Sequence, residues 1–436
     1  MSGYIRRKLF FFKDRLKGSP ISFHIQELNT INCDYQKGMI LQKELIEELL
    51  THFTQNSKFY YPYKDCSLNE FPIMDKNILN HNYDKLVVDK TCLTFQKGEM
   101  HIHRTSGSTG APLIIPQDSR KRNRRIAELK YFGETVGFKS HETLCQCRIW
   151  TKWHGKTRWQ SFKENIIAFN ISSMNELTIQ NLLNIIESRR VLFIRAYASW
   201  YDSLLDYLLT NVEEQKKIKT LKLGFSSSEA LSSTTKEIFK SKFNIDLVEA
   251  YANEEGGIIG HQKIGDSNFY LNHASFFIEL LKLDSNEPAA YGELGRIVIT
   301  DLYNYAFPLI RYDTGDTGVM EEGILESSGW PYLKYLYGRK VDIIYDTNGD
   351  PIHPMNFARI LKNVDGINQW QFIQKSKDTY LVKLNLKYTI DFDPIRAAIQ
   401  ELVKPDGIVN FQIVEDIPVL ASGKRKSVIC ELNKKK

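Results

Sequence analysis

The most chemically distinctive segment of the sequence is a run of glycines and hydroxyl side chains at residues 105–110. It reads Thr105-Ser106-Gly107-Ser108-Thr109-Gly110 and continues into Ala111-Pro112. Glycines let the backbone bend so that successive N–H groups converge on an anion, and the hydroxyls add donors. The run is not a Walker A motif, and the nearby Gly155-Lys156-Thr157 has Trp150 where that motif requires glycine. We predict a phosphate-binding loop, with an ordinary surface loop of small residues as the alternative.

The apolar pattern around this loop predicts the elements that would hold it. Residues 1–100 are typical of a mostly helical segment, with one apolar helical face over 41–53. Asp118 or Ser119 is expected to cap the next helix, which would turn Ile126, Leu129, Phe132 and Val136 inward. Helices then alternate with short apolar strands at 191–196, 220–225 and 245–251. This alternation indicates βαβ units and a parallel sheet.

The pattern changes beyond residue 266. Phe269–Leu283 and Gly295–Asp301 are predicted to be strands without intervening helices. Gly338-Arg339 precedes a compact tail with its own turn, helices and strands. We therefore predict an α/β fold with a large N-terminal domain, residues 1–338, and a small mobile C-terminal α+β domain, residues 339–436. The large domain would combine parallel βαβ layers with antiparallel strands.

Composition excludes several classes of protein. The 436 residues carry 58 Lys and Arg against 52 Asp and Glu, so the formal net charge is +6. This mild charge suits a protein that handles an anion but does not argue for nucleic acid. Six cysteines in this length do not make a disulfide scaffold. Every 18-residue window of the sequence contains a charged residue, so we predict no membrane-spanning helix and expect the chain in the cytoplasm.

Six further segments follow the glycine-rich loop in an order that resembles one enzyme superfamily. They are Ile194-Arg195-Ala196-Tyr197-Ala198-Ser199, Ser227-Ser228-Glu229-Ala230-Leu231, Tyr251-Ala252-Asn253-Glu254-Glu255, Arg311-Tyr312-Asp313-Thr314-Gly315-Asp316, Gly338-Arg339 and Ser422-Gly423-Lys424. The set resembles the acyl-adenylate-forming (AMP-forming ligase) superfamily. Within it, the sequence is most similar to the phenylacetate–CoA ligase-like, CapK-like branch found with capsule polysaccharide genes.

The resemblance implies a two-step ligase reaction that uses ATP and Mg²⁺. A carboxylate attacks the α-phosphorus of ATP to give an acyl-adenylate and pyrophosphate, and a thiol or amine then displaces AMP. Positioning and charge neutralisation should dominate such chemistry. The partners implied are a small-molecule carboxylic acid and CoA or an amine, with no nucleic acid, at most peripheral membrane contact, and a monomeric or homodimeric chain.

The family roles transfer residue by residue. Thr105, Ser106, Gly107, Ser108, Thr109 and Gly110 would bind the ATP phosphates, and Glu255 would bind Mg²⁺ and take part in catalysis. Ser228, Glu229, Ala230 and Tyr251 would bind adenine, while Asp316 and Arg339 would bind ribose, with Arg311 orienting Asp316. Lys424, in a predicted mobile loop, would be the catalytic lysine. Without the resemblance, Glu255 is an exposed carboxylate, Tyr251 a core aromatic, Asp316 a turn residue and Lys424 one of many C-terminal lysines.

Four residues depart from the family pattern. Leu113 replaces a lysine common after the loop, and Ala252 and Glu254 replace the usual glycine and hydroxyl residue. A second carboxylate beside Glu255 would repel nucleotide phosphates unless it bound metal. Val341 stands where the family often has the hinge aspartate. These departures leave open a catalytically impaired nucleotide-binding module with an assembly role.

Three other clusters have both a structural and a functional interpretation. The basic run Arg120, Lys121, Arg122, Arg124 and Arg125 is interpreted as a solvated helix face, with an anion contact as the alternative. The basic, aromatic segment 6–17 is interpreted as a packed helix, with an anionic membrane as the alternative partner. The third group of residues, His141, Cys145, Cys147 and His154, lies close enough in sequence to suggest a zinc site. Its Cys-x-Cys spacing is not a usual one for zinc, so a purely structural role is the alternative.

Overall fold

The computed structural model describes the chain except for a few short segments. The described residues are 2–94, 96, 98–104, 112–150, 156–171, 175–227, 230–323, 328–339, 343–352, 356–357, 360–361, 364–418 and 426–432.

Helices dominate the start of the described chain and then alternate with strands, as predicted. Their bounds are α1 Gly3–Leu16, α2 Pro20–Cys33, α3 Tyr35–Asn56, α4 Lys76–His81, α5 Tyr83–Leu86, α6 Ser119–Thr135, α7 Arg158–Glu164, α8 Glu176–Arg189, α9 Ala198–Thr210, α10 Ser233–Phe243 and α11 Asp393–Val403. Among the described residues, none of the helices is both long and apolar enough to cross a bilayer.

The strands form one large sheet and three smaller ones. Their bounds are β1 His101–Arg104, β2 Ile114–Gln117, β3 Leu144–Arg148, β4 Ile166–Asn170, β5 Phe193–Ala196, β6 Leu223–Ser227, β7 Asp246–Asn253, β8 Gly257–His261, β9 Phe269–Leu271, β10 Phe276–Lys282, β11 Leu294–Asp301, β12 Tyr312–Glu321, β13 Tyr332–Arg339, β14 Ile344–Tyr345, β15 Pro351–Ile352, β16 Ile367–Gln374, β17 Thr379–Leu386, β18 Ile408–Ile413 and β19 Val428–Cys430. The predicted strand at 269–283 is interrupted between β9 and β10, and β19 was not predicted.

The large sheet has a parallel half and an antiparallel half that meet at β7. Its strand order is β10-β11-β12-β13-β9-β8-β7-β6-β5-β3-β4. Strands β4, β3, β5, β6 and β7 run parallel, whereas β7 pairs with β8 antiparallel. Parallel pairing follows from the helices between these strands, and the remaining strands are joined without helices. The predicted α/β fold class is confirmed.

The antiparallel half of the sheet curls back toward β7. Strands β8, β9 and β13 separate β7 from β12 in the hydrogen-bonded order. Four strand spacings would hold β7 and β12 about 19 Å apart in a flat sheet. Yet the Tyr251 hydroxyl of β7 lies 3.0 Å from the Asp316 carboxylate of β12. The curl therefore brings together residues that are 65 positions apart in the sequence.

The C-terminal segment forms a separate four-stranded sheet in the order β18-β17-β16-β19. Its core is built from apolar residues of β16, β17 and α11, including Phe372, Tyr380 and Ile399. Along the chain, β13 is the last strand to join the eleven-stranded sheet, and it ends at Arg339, one residue beyond the predicted domain boundary at 338/339. The domain limits themselves stay a prediction.

The basic run that follows the glycine-rich loop lies on helix α6, where two of its cations are buried. Asp118 caps the helix, as predicted, by accepting a hydrogen bond from the Lys121 backbone N–H at 2.7 Å. Lys121 and Arg124 are fully buried rather than solvated, whereas Leu129 is 46% exposed. The inward face of α6 carries charged side chains that are neutralised by partners remote in sequence. The predictions of a solvated basic face and an inward Leu129 are both wrong.

The partners of these cations come from α2, from the end of β11 and from the segment that follows β11. Lys121 Nζ lies 2.6 Å from Asp301 Oδ2 at the end of β11. Arg124 Nη1 lies 2.5 Å from Glu27 Oε2 of α2, and its guanidinium stacks 3.9 Å from the Tyr303 ring centroid. Burying a charge is costly unless it is paired and hydrogen-bonded, so this network fixes α6 to the sheet.

We expect the substitution Lys121→Met to lower the free energy of unfolding by about 3–5 kcal/mol, since it leaves Asp301 buried without its cation. Denaturant-induced unfolding of the full chain measures the change. The double variant Lys121→Met, Asp301→Asn removes both charges and should recover part of the loss. A single variant as stable as the unmodified chain would contradict a structural role for this pair.

Candidate active site

Two of the segments predicted to bind the nucleotide begin at the carboxyl edge of the parallel strands. Strand β6 ends at Ser227, which is paired with Ala250 of β7, and Tyr251 follows directly. In open α/β sheets, ligands bind outside the carboxyl ends of the strands. Ser228 and Glu229 lie outside the described residues, and Ala230 is exposed. The adenine-binding assignment of this segment stays a prediction.

Tyr251 links the parallel edge to the predicted ribose residue. Its ring is buried, and its hydroxyl donates to Asp316 Oδ2 at 3.0 Å and lies 3.2 Å from Thr314 Oγ1. Burial, followed by the Asp316 charge, raises the pKa of Tyr251 well above its usual value. The phenol therefore stays protonated and remains a hydrogen-bond donor to Asp316. Stacking of Tyr251 on adenine stays a prediction.

A bulge in β12 aims Asp316 at this hydroxyl. Arg296 of β11 pairs with Thr317 of β12, and Val298 pairs with Asp313. Two residues along β11 therefore correspond to four residues along β12, so β12 contains extra residues at this point. Gly315 takes a φ of +75° there, a conformation that side-chain-bearing residues rarely adopt. The extra residues rotate the strand, and such bulges re-aim side chains. The glycine in the ribose motif thus has a local structural reason.

The two predicted ribose residues are neighbours on adjacent strands. Asp316 of β12 and Arg339 of β13 are register partners in an antiparallel ladder. Arg311 does not orient Asp316, contrary to expectation. Its guanidinium is held by Glu279, with Nη2 2.8 Å from Oε1, and by the Asn69 carbonyl at 2.7 Å from Nη1. Arg311 anchors the start of β12 instead.

Glu255 lies in the turn between β7 and β8, beyond the same strand end that carries Tyr251. Its Oε1 accepts a hydrogen bond from the Tyr312 hydroxyl at 3.4 Å. Burial raises the pKa of the Glu255 carboxyl, and the neighbouring Glu254 adds to the rise while Lys76 opposes it. A carboxyl that is costly to ionise alone is stabilised as the anion when a cation binds to it.

The anomalous Glu254 is accommodated by groups of two other elements. Its Oε2 lies 3.7 Å from His103 Nδ1 in β1, and its carbonyl accepts a hydrogen bond from Arg125 of α6 at 3.2 Å. These contacts hold the β7–β8 turn from both sides.

The strands that flank the glycine-rich loop in the sequence, β1 and β2, form a short hairpin beside this turn. Strands β1 and β2 pair from His101 with Gln117 to Arg104 with Ile114, and residues 105–113 connect them. The Asn304 side chain donates to the Pro116 carbonyl at 3.1 Å and so holds β2 against the main sheet. Because His103 of β1 contacts the Glu254 side chain, this strand of the hairpin lies beside the β7–β8 turn. Leu113 is fully buried, so this departure from the family pattern adds to the core.

Several predicted site residues fall outside the described part of the chain. They are Thr105, Ser106, Gly107, Ser108, Thr109, Gly110, Ser228, Glu229 and Lys424, together with Val341. Arg339 is placed by its backbone alone. The structure brings Tyr251, Asp316 and Arg339 together, and Tyr312 of β12 links this group to the Glu255 turn. The roles of all these residues stay predictions.

Sequence reasoning missed Tyr312, His103 and Arg125. Tyr312 lies inside the motif that contains Asp316. Because side chains alternate between the two faces of a strand, the spacing between Tyr312 and Asp316 was a usable signal for its orientation. His103 and Arg125 are distant from Glu254 in the sequence and meet it only in the folded chain, so sequence spacing could not predict these contacts. Of the suggested zinc ligands, Cys145 and Cys147 are buried neighbours on β3, and His154 is not described. No cluster of three or more metal-ligating side chains occurs in the described segments.

Comparison with solved structures identifies the class of fold. The chain matches 2-hydroxyisobutyryl-CoA ligase in the postadenylation state in complex with 2-HIB-AMP, with a TM-score of 0.69 and 15% identity over 90% of each chain. It matches ATP-bound MatB from Rhodopseudomonas palustris with a TM-score of 0.55 and 14% identity, over 74% of this chain and 66% of that one. The chain therefore has the fold of the acyl-adenylate-forming ligases.

A curated relative of this chain belongs to the CapK-like branch that the sequence motifs resemble. Protein CapK of Staphylococcus aureus is 22% identical over 416 residues, which cover 89% of this chain and 88% of the relative. Residues 344–431 match the family model of the CapK C-terminal domain. The resemblance to the acyl-adenylate-forming superfamily and its CapK-like branch is confirmed.

Proposed function

We propose that this protein is an ATP-dependent ligase that adenylates a carboxylic acid and transfers the acyl group to CoA or an amine. One observation carries the proposal. In the curled sheet Tyr251 bonds to Asp316 beside Arg339, and Tyr312 of β12 links this group to Glu255 in the β7–β8 turn, which β1 contacts through His103. The fold it shares with ligases crystallised with ATP or an acyl-adenylate supports the same conclusion.

In the first step a carboxylate oxygen attacks the α-phosphorus of ATP. The bond from the α-phosphorus to the bridging oxygen breaks, and pyrophosphate leaves with that electron pair. The acidic groups in the site cannot supply the required positive charge, so the backbone N–H groups and hydroxyls of residues 105–110 and the Lys424 ammonium would neutralise the anions. In the second step a thiol or amine attacks the acyl carbon, AMP leaves, and the proton of the nucleophile passes to solvent.

Asp316 is suited to bind the ribose of the nucleotide. A diol donates hydrogen bonds, and a carboxylate that is already oriented by a neutral donor is a strong acceptor for them. Tyr251 provides that orientation through one carboxylate oxygen, Oδ2. Arg339, the register partner of Asp316, would supply a cation at the same edge of the pocket.

Glu255 fits the role of a Mg²⁺ ligand. Magnesium is usually held by one or two carboxylates together with substrate phosphates, rather than by a complete protein cage. Glu255 is a partly buried carboxyl whose pKa is raised by burial, and a nearby cation would stabilise its charged form. Bound Mg²⁺ would neutralise phosphate charge, while Tyr312 and Arg125 hold the turn that carries Glu255.

A pyrophosphate-release screen tests the proposal. The full chain would be incubated with ATP, Mg²⁺ and aryl, fatty, amino or uronic acids, with hydroxylamine added to trap acyl-adenylates as hydroxamates. We expect pyrophosphate release with one class of acid and a hydroxamate of the same acid. Replacing hydroxylamine by CoA or candidate amines then identifies the acceptor from the mass of the product. Tight ATP binding without pyrophosphate release for any acid would instead favour a nucleotide-binding module.

A role in polysaccharide biosynthesis is the biological context that we propose. It rests on the CapK-like branch, which the family model and the curated relative support. A uronic acid or another acid found on saccharides would then be the preferred substrate in the screen. Selective turnover of an unrelated fatty or aryl acid would contradict this context without affecting the ligase chemistry.

The substitution Tyr251→Phe should raise KM for ATP by roughly three- to tenfold, with a smaller change in kcat. It removes a single hydrogen bond to a charged acceptor but leaves the buried ring in place. Initial rates of pyrophosphate release at varied ATP concentrations measure the split. Tyr201→Phe is the matched control, since it removes a buried hydroxyl that bonds only to the Ile194 and Phe225 carbonyls. Equal effects of the two variants on KM would contradict the ribose assignment.

A further inference from the structure

Helix α1 has an apolar face that the rest of the described chain does not cover. Ile5, Leu9, Phe12 and Leu16 are 47%, 45%, 60% and 73% exposed. At about 100° of rotation per residue these four side chains lie within about 60° of one another on the helix. They form a continuous stripe, which we call the outer face of α1. Isolated apolar residues on a surface are common, but a stripe along a whole helix requires a partner.

The opposite side of α1 is the one that packs on the protein. Arg6 donates to Asn165 Oδ1 at 2.7 Å, and Arg7 lies 2.5 Å from Glu134 Oε1. Lys130 lies 3.9 Å from the Phe10 ring centroid. Asp14 is buried and accepts hydrogen bonds from the backbone N–H groups of Ile21 and Ser22. The helix is therefore anchored without its outer face, and the interpretation of residues 6–17 as a packed helix is confirmed.

Cations flank the outer face on both sides. On the helical wheel Lys8 and Arg15 lie to one side of the stripe, about 60–80° from Ile5, and Lys13 lies about 80° to the other side. All three side chains are exposed. The only acidic residue of α1 is the buried Asp14, so the exposed surface of this helix carries positive charge alone.

We propose that the outer face of α1 binds the surface of an anionic lipid bilayer. An apolar stripe bordered by Lys and Arg is suited to lie in the plane of the interface, with the apolar side chains among the acyl chains and the cations at the headgroups. A second copy of the chain would bring two sets of like charges together, whereas anionic headgroups complement them. This inference does not depend on the ligase activity, since α1 contributes none of the proposed site residues.

Vesicle sedimentation of the full chain tests this inference. We expect binding to phosphatidylcholine vesicles that contain phosphatidylglycerol, and at least about tenfold weaker binding to phosphatidylcholine alone. Raising the salt from about 0.1 M to about 1 M shortens the screening length from about 10 Å to about 3 Å and should weaken binding further. Binding that is absent, or that is equal for the two kinds of vesicle, would overturn the proposal.

Three variants distinguish the outer face from the rest of the surface. Leu9→Gln, Phe12→Gln, Leu16→Gln should weaken binding to anionic vesicles at least about tenfold, because the apolar anchor is lost. Lys8→Gln, Lys13→Gln, Arg15→Gln should weaken it by a similar or larger factor. Leu177→Gln, Val212→Gln alters two residues that are each 65% exposed elsewhere, and should leave binding unchanged.

Two measurements exclude folding and self-association as causes. Far-ultraviolet circular dichroism and thermal unfolding of the variants should match those of the unmodified chain, since the changed residues are exposed. Light scattering in the absence of lipid should show the same mass for the unmodified chain and the apolar variant. A dimer that becomes a monomer only in the apolar variant would assign the outer face to a second copy and overturn the membrane proposal.

Discussion

The substitution Glu255→Gln is expected to lower kcat/KM for pyrophosphate release by about 10²–10³-fold, the range typical of removing one preorganised electrostatic group. Gln keeps the shape of the side chain and can still accept a hydrogen bond from Tyr312, so the turn should be retained. It removes the negative charge that would bind Mg²⁺. Steady-state rates at varied ATP, repeated at several Mg²⁺ concentrations, measure the effect, which should appear as a lost response to Mg²⁺.

Glu254→Gln is the matched control for this experiment. Glu254 is adjacent in sequence and also carboxylic, but its side chain pairs with His103. We expect less than about a fivefold change in kcat/KM, in keeping with the modest net value of a partly exposed polar contact. If the two variants were equally impaired, the metal site would have to include both carboxylates. If neither were impaired, the assignment of Glu255 would be wrong.

The raised pKa of Glu255 also predicts a pH dependence. The protonated carboxyl cannot bind Mg²⁺, so the apparent affinity for Mg²⁺ should fall as the pH drops through the raised pKa. The fall should begin at a higher pH than for an ordinary glutamate, because burial disfavours the charged form. Glu255→Gln should show no such fall, and Mg²⁺ titrations across the acidic range provide the comparison.

Local pattern sufficed to predict the parallel half of the molecule. Strands β5, β6 and β7 and helices α9 and α10 follow the predicted order within a few residues, because each is short, apolar and bounded by clear breaks. Motif order also predicted that Asp316 and Arg339 would lie together, and they are register partners. These features depend on residues close in sequence or on a resemblance that spans the chain.

Features that depend on contacts between distant segments of the chain could not be predicted from local sequence pattern. The approach of Tyr251 to Asp316 depends on the curl of the sheet, which no periodicity encodes. Lys121 and Arg124 are buried because Asp301 and Glu27 arrive from distant segments to neutralise them. Arg311, the first residue of the ribose motif, is held by Glu279 from β10. In each case the deciding partner is at least 30 residues away, so composition and spacing gave the wrong or an incomplete account.

Replacing Lys424 by Ala is expected to lower the rate of acyl-adenylate formation by at least about 10²–10³-fold while leaving the Kd for ATP nearly unchanged. A flexible ammonium can contact both the attacking carboxylate and the α-phosphate, and its charge matters most where negative charge from two anions meets in the transition state. Single-turnover pyrophosphate release measures the rate, and calorimetry in the absence of the acid measures nucleotide binding.

Lys426→Ala is the matched control, because it removes a lysine two positions along the chain whose backbone carbonyl accepts a hydrogen bond from Gln371 whatever side chain is present. A loss confined to Lys424→Ala separates one catalytic ammonium from the general positive charge of the C-terminal segment. Equal losses in both variants would assign the effect to that general charge. Full turnover in Lys424→Ala would remove the lysine from the mechanism. Because ATP binding and turnover are measured separately, an unmodified chain that binds ATP but shows no turnover with any acid would identify the impaired nucleotide-binding module directly.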